Sequence, residues 1–99
     1  MIPQHLLADR YWRGALYIFT ECEKLQRYVG TYIDFEEYTI DSVGLKRISK
    51  PWSESEKFML NLALHLFNEK NNVNLSGMDY LDSNNKAIAL KAIQLRFAG

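Results

Sequence analysis

"SESEKFMLNLALHLFNEK", residues 53–70, decides the fold. Ser53 followed three positions later by Glu56 is the capping-box pattern. In it a hydroxyl and a carboxylate each satisfy a backbone N–H that a helix start leaves without a partner. No proline or glycine interrupts the chain from there to Lys70, so the pattern predicts a helix over 54–70. Projected at about 100° per residue, Met59, Leu62, Ala63 and Leu66 share one face. Leu60, Leu64 and Phe67 widen that face on one flank and Phe58 on the other. The polar residues Glu54, Lys57, Asn61, His65 and Asn68 keep only roughly a quarter of the circumference. A helix apolar over so much of its surface has to be covered by neighbours. This one is predicted to be the central helix of a compact bundle.

His65 lies at the edge of the polar wedge, one turn from Asn61. An imidazole there is expected to bond a nearby polar group or water. With one cysteine and two histidines, a zinc site would have to draw on carboxylates. No two candidate ligands share a helix at the i,i+4 spacing, so no metal and no cofactor are expected. Cys22 is the one thiol, near the start of a predicted helix whose dipole favours thiolate. Glu21 and Glu23 flank it and oppose that effect, so Cys22 is read as a small packed apolar residue.

Ninety-nine residues with 47% hydrophobic and 13% aromatic content make one domain with its own core, 1–99. Twelve basic and twelve acidic side chains cancel. Binding through nucleic-acid phosphates needs a local excess of cations, and the total offers none. Lys46, Arg47 and Lys50 form the one basic run and are expected to be a solvated face. Lys86, Lys91 and Arg96 are five residues apart, so a helix points them in three directions, unlike a recognition helix. A single cysteine permits no intrachain disulfide and fits a reducing compartment, so a cytoplasmic location is expected. The longest apolar run, "ALYIF" at 15–19, is far short of the roughly 20 residues that cross a bilayer.

The all-α class, a bundle of four to five helices, follows from further start and stop signals. A first helix is predicted over about 3–19, with Pro3 in its first turn and Gly14 a possible bend. Thr20 with Glu23 reads as a second capping box opening a helix over 21–29, which Gly30 would stop. Within it Glu23 and Arg27 stand at the i,i+4 spacing of an ion pair. Ser76 with Asp79 is a weaker box for a short turn at 77–81, and Asp82 or Ser83 caps a last helix over 84–97. Between them "TYIDFEEYTIDSVGLKRISKPW", 31–52, lacks strict alternation. It is read as irregular chain with one short helix near 41–48, ended ahead of Pro51.

Two surfaces offer themselves to partners. The segment 32–41 mixes aromatics and acids: Tyr32, Phe35, Glu36, Glu37, Tyr38 and Asp41. Aromatics on an irregular stretch make good anchors, and the carboxylates suit a basic surface on another protein. The last helix has two apolar faces. One holds Ala89, Leu90, Ile93 and Phe97; the other holds Ile88, Ala92 and Leu95, and is assigned to self-association as a homodimer.

Taken together, "GALYIFTECEKLQRYVGTYIDFEEYTID", "SESEKFMLNLALHLFNEKNN" and "YLDSNNKAIALKAIQLRF" resemble a domain-of-unknown-function family of small helical proteins from Bacillota and their phages and mobile elements. The matching elements are Leu16–Phe19, Ile33–Phe35, Leu62–Asn68 and Ala92–Phe97, with His65 where that family's pattern has asparagine. The resemblance implies a small helical domain of phage or mobile-element type and implies no activity. The expectation is therefore a non-enzymatic protein that binds another protein, such as a host defence factor. A DNA-binding regulatory module and a small hydrolase or nuclease are the alternatives. Arg96, beside the closing Phe97, is expected to anchor Asp34.

Overall fold

The computed structural model describes residues 2–68 and 71–98. Its elements are mainly helical, as the patterning requires. They are α1 (Gln4–Ala8), α2 (Arg10–Glu21), α3 (Glu23–Gln26), α4 (Val29–Tyr32), α5 (Ser42–Ile48), α6 (Glu54–Phe67) and α7 (Ser83–Phe97). A 3-10 helix, Leu75–Tyr80, precedes α7, and a two-residue ladder joins β1 (Ile33–Asp34) to β2 (Thr39–Ile40).

The capping box at Ser53 forms as predicted. The Glu56 N–H donates to Ser53 Oγ at 3.2 Å, and the Ser53 N–H donates to Glu56 Oε1 at 3.0 Å. Behind it α6 buries Phe58, Met59, Leu60, Leu62, Ala63, Leu64 and Leu66. Asp82 caps α7 by accepting from the Asn85 N–H at 2.8 Å. The helix foreseen near 41–48 is α5, capped by Asp41, and the 54–70 helix ends at Phe67, with 69–70 outside the described residues.

Other boundaries moved, each for a local reason. The single helix expected over 3–19 breaks at Asp9, whose carboxylate accepts from the N–H groups of Tyr11 and Trp12 and so starts α2 afresh. Pro3 sits ahead of α1 in extended conformation. Gly14 does not bend α2. A Cβ there would stand 3.0 Å from the Ala92 carbonyl oxygen and 3.1 Å from Arg96 Cβ, so glycine lets α2 and α7 meet backbone to side chain. The Thr20 box does not form: α2 continues past it, and the Thr20 hydroxyl donates back to the Tyr17 carbonyl. Gly30 lies inside α4 and stops nothing. Asn74 caps the 3-10 helix in place of Ser76.

The largest correction concerns the centre. α6 is deeply buried, yet α2 holds the middle seat, packing against both α6 and α7, which share far less contact with each other. Leu16, Ile18 and Phe19 of α2 are completely covered. Trp12 extends that layer, its ring edge-on to Phe67 at 4.6 Å and tilted against Phe35 at 6.4 Å. Each such side chain contributes roughly 1.5–3 kcal/mol through burial. The Trp12–Phe35 contact, with the buried Ile33, helps seat the small hairpin on the bundle.

α7 also turns differently from expectation. Ile88, Ala89, Ala92 and Arg96 are its buried residues, and Leu95 is partly covered. Ile88 and Ala92 pack inward, so the assigned self-association face of Ile88, Ala92 and Leu95 is the inner face of the monomer. The crossing over Gly14 is made by the Ala92 carbonyl and the Arg96 Cβ of this inner face. The apolar residues α7 turns to solvent are Leu90, 59% exposed, and Phe97, 64% exposed.

Candidate binding hairpin

Ile33 pairs with Ile40 and Asp34 with Thr39, leaving Phe35–Tyr38 as a four-residue turn. Asp34 organises that turn: its Oδ1 accepts from the Glu36 N–H at 2.9 Å and the Glu37 N–H at 3.0 Å. This Asx-type bonding replaces ladder bonds that the reversing chain cannot make. Strict alternation was absent because the strands are only two residues long, too short for period two to register.

The hairpin sorts the six expected docking residues into three groups. Tyr32 and Phe35 are half-buried; Tyr32 leans on Tyr28 with ring centroids 6.1 Å apart. Asp41 is exposed but engaged, its Oδ1 accepting from the Gly44 N–H at 2.9 Å as the cap of α5. Glu36, Glu37 and Tyr38 are left at the apex, exposed to solvent. Neither Glu36 nor Glu37 makes an ion pair among the described residues, where the carboxylate–cation contacts are Glu23–Arg27 and Glu54–Lys57. A shallow depression of about 560 Å³ runs beneath the apex, bordered by Thr31, Asp34, Glu36, Thr39 and Asp41.

Tyr38 is the unusual residue. Its φ is 58°, the one left-handed non-glycine backbone among the described residues, and its side chain is 49% exposed. The left-handed region costs an ordinary side chain roughly 1–2 kcal/mol. The ring meets His5 edge-on at 5.5 Å, which ties the apex to α1. No sequence signal announces this: left-handed turn positions usually carry glycine or asparagine, and a tyrosine there reads as strand. The His5 contact joins residues thirty-three positions apart and is equally silent.

Both His65 and the thiol of Cys22 are engaged within the fold. His65 is half-buried, and its Nδ1 lies 2.7 Å from the Asn71 carbonyl oxygen, the edge-histidine bonding expected of it. Cys22 is buried beside Glu56 and Asp82, and burial is the main cause that pushes its thiol pKa up. The N–H groups of Leu25 and Lys24 pull the other way and the two carboxylates add to the rise. Because the folded thiol holds its proton more tightly than the unfolded one, stability falls as pH rises above the ordinary thiol value of 9.0. In alkaline melts the Cys22→Ala variant should lose less stability than wild type over that range. Iodoacetamide should label Cys22 at neutral pH only on unfolding, and fast native labelling would contradict the buried thiol. No group of three or more His, Cys, Asp or Glu among the described residues has metal-binding geometry.

The fold defines a small, mainly helical bundle carrying one short hairpin. The chain matches no family model, no curated protein and no solved structure. Among the described residues no helix is long and apolar enough to cross a membrane.

Proposed function

We propose that this chain is a non-enzymatic binding protein of phage or mobile-element type, working in the cytoplasm by docking its hairpin apex on another protein. The observation that carries the reading is Tyr38, an exposed aromatic held in a strained backbone conformation between two unpaired carboxylates and Thr39. Strain of that kind persists only where surrounding structure imposes it, and it clusters at sites of recognition. Asp34 and the His5 contact impose it here.

An aromatic anchor beside Glu36 and Glu37 suits a partner with an apolar notch and a basic rim, such as a host factor that the chain would antagonise. The resemblance noted above points to the same type of protein. The partner is sought by capture from the native host, then purified for direct binding. Tyr38→Ala combined with Glu37→Lys should abolish that binding while leaving the helical circular dichroism intact. Wild-type affinity should also fall with salt. Undiminished binding by the double variant would refute the docking assignment.

A further inference from the structure

α6 and α7 both lie on α2 but touch each other little, leaving a gap between them. A cavity of about 200 Å³ occupies it, walled by Leu62, His65 and Leu66 of α6, Ile93 and Phe97 of α7, and Leu75 of the 3-10 helix. Leu75 and Phe97, 59% and 64% exposed, stand at its rim. Apart from one imidazole the wall is aliphatic or aromatic. The cavity volume is enough for one aromatic ring: an enclosed apolar cavity of about 150 Å³ holds benzene.

The imidazole adds direction. The Asn71 carbonyl oxygen beside His65 Nδ1 can only accept, so Nδ1 carries the proton. In the neutral ring Nε2 is then a lone-pair acceptor, and no residue among those described bonds it. With Nδ1 committed to the Asn71 carbonyl, Nε2 is the remaining polar ring atom of the one imidazole in this otherwise apolar wall. A ligand carrying one donor suits it.

We propose that the α6–α7 cavity binds a one-ring aromatic alcohol, with its ring against Leu62, Leu66, Ile93 and Phe97 and its hydroxyl donating to His65 Nε2. The site is separate from the hairpin apex, and neither reading depends on the other.

Phenol and fluorobenzene test this on the isotope-labelled full chain by two-dimensional NMR. The two have nearly the same outline, but fluorobenzene has no donor. Phenol should shift the amides of Leu66, Val73 and Ile93 saturably, with affinity about fivefold above that of fluorobenzene, the gain from one net hydrogen bond. His65→Leu should erase the difference while both probes still bind, and Ile93→Trp should fill the cavity and abolish both. Absence of a saturable shift up to about 10 mM phenol, or equal affinities in the wild type, overturns the proposal. Unchanged phenol binding by a folded Ile93→Trp variant overturns it too. The wild-type comparison stands even where a variant does not fold.

Discussion

Leu62→Ala and Leu66→Ala should each destabilise the protein by about 2–5 kcal/mol, with His65→Ala, between them on the same helix, costing about 1 kcal/mol. Leu62 and Leu66 are 1% and 2% exposed, enclosed between α2 and the remainder of the core. Truncating either removes buried methyl groups and leaves a hole that the packed helix backbones cannot close. His65 is half-buried, and its loss leaves the Asn71 carbonyl near enough to the surface to find water. For a domain of this size 1 kcal/mol corresponds to roughly 4–8 °C, so the leucine variants should melt at least about 10 °C lower. Chemical melts that rank His65→Ala above either leucine variant would contradict the burial of this face.

Arg96→Ala is the second large effect, expected at about 2–4 kcal/mol. The pairing with Asp34 suggested by sequence does not form: Arg96 is held by Leu66, Tyr11 and Phe97, while Asp34 serves the hairpin turn. Arg96 is only 9% exposed, and its Nε donates to the Leu66 carbonyl at 3.1 Å, closing the C-terminal end of α6. Its guanidinium stacks 3.9 Å from the Tyr11 ring centroid and 4.6 Å from that of Phe97. Removing it loses a charge-assisted bond, empties a buried slot and leaves a helix-terminal carbonyl unpaired. Arg13 does the same service at the end of α7, donating from Nε and Nη2 to the Leu95 carbonyl at 3.1 and 2.8 Å. Two arginines thus tie the first turn of α2 to the C-terminal ends of α6 and α7, where cations also offset the helix dipole. The cost of Arg96→Ala should be the same with or without Asp34→Ala. Coupling above about 0.5 kcal/mol in a double-mutant cycle would restore the Asp34 pairing.

Much of this architecture was legible in the residues themselves. The Ser53–Glu56 box, the apolar circumference of 54–67, the Asp82 cap and the short helix after Asp41 all follow from bonds and periodicities within a few positions of each residue. The burial of Cys22 and the bonded edge position of His65 also agree with the patterning of their helices. The stretch read as irregular contains the short hairpin, and the six residues expected to dock are divided there between packing, capping and exposure.

What sequence could not decide depended on residues far apart in the chain. That α2 and not α6 is central depends on Gly14 meeting Ala92, a close approach that makes glycine look like a bend when read alone. The face that α7 buries was ambiguous by periodicity because Ile88 and Leu90 lie on nearly opposite sides. The close approach of Ala92 and Arg96 to Gly14 fixes which face is inner. Asp9 and Thr20 are both competent caps, and only the packing of α2 selected the first and overrode the second. Local hydrogen bonding and hydrophobic period are short-range and can be read along the chain. Helix crossing, the partners of Arg13 and Arg96, and the strained display of Tyr38 arise from long-range contacts, which exist only once the helices have packed.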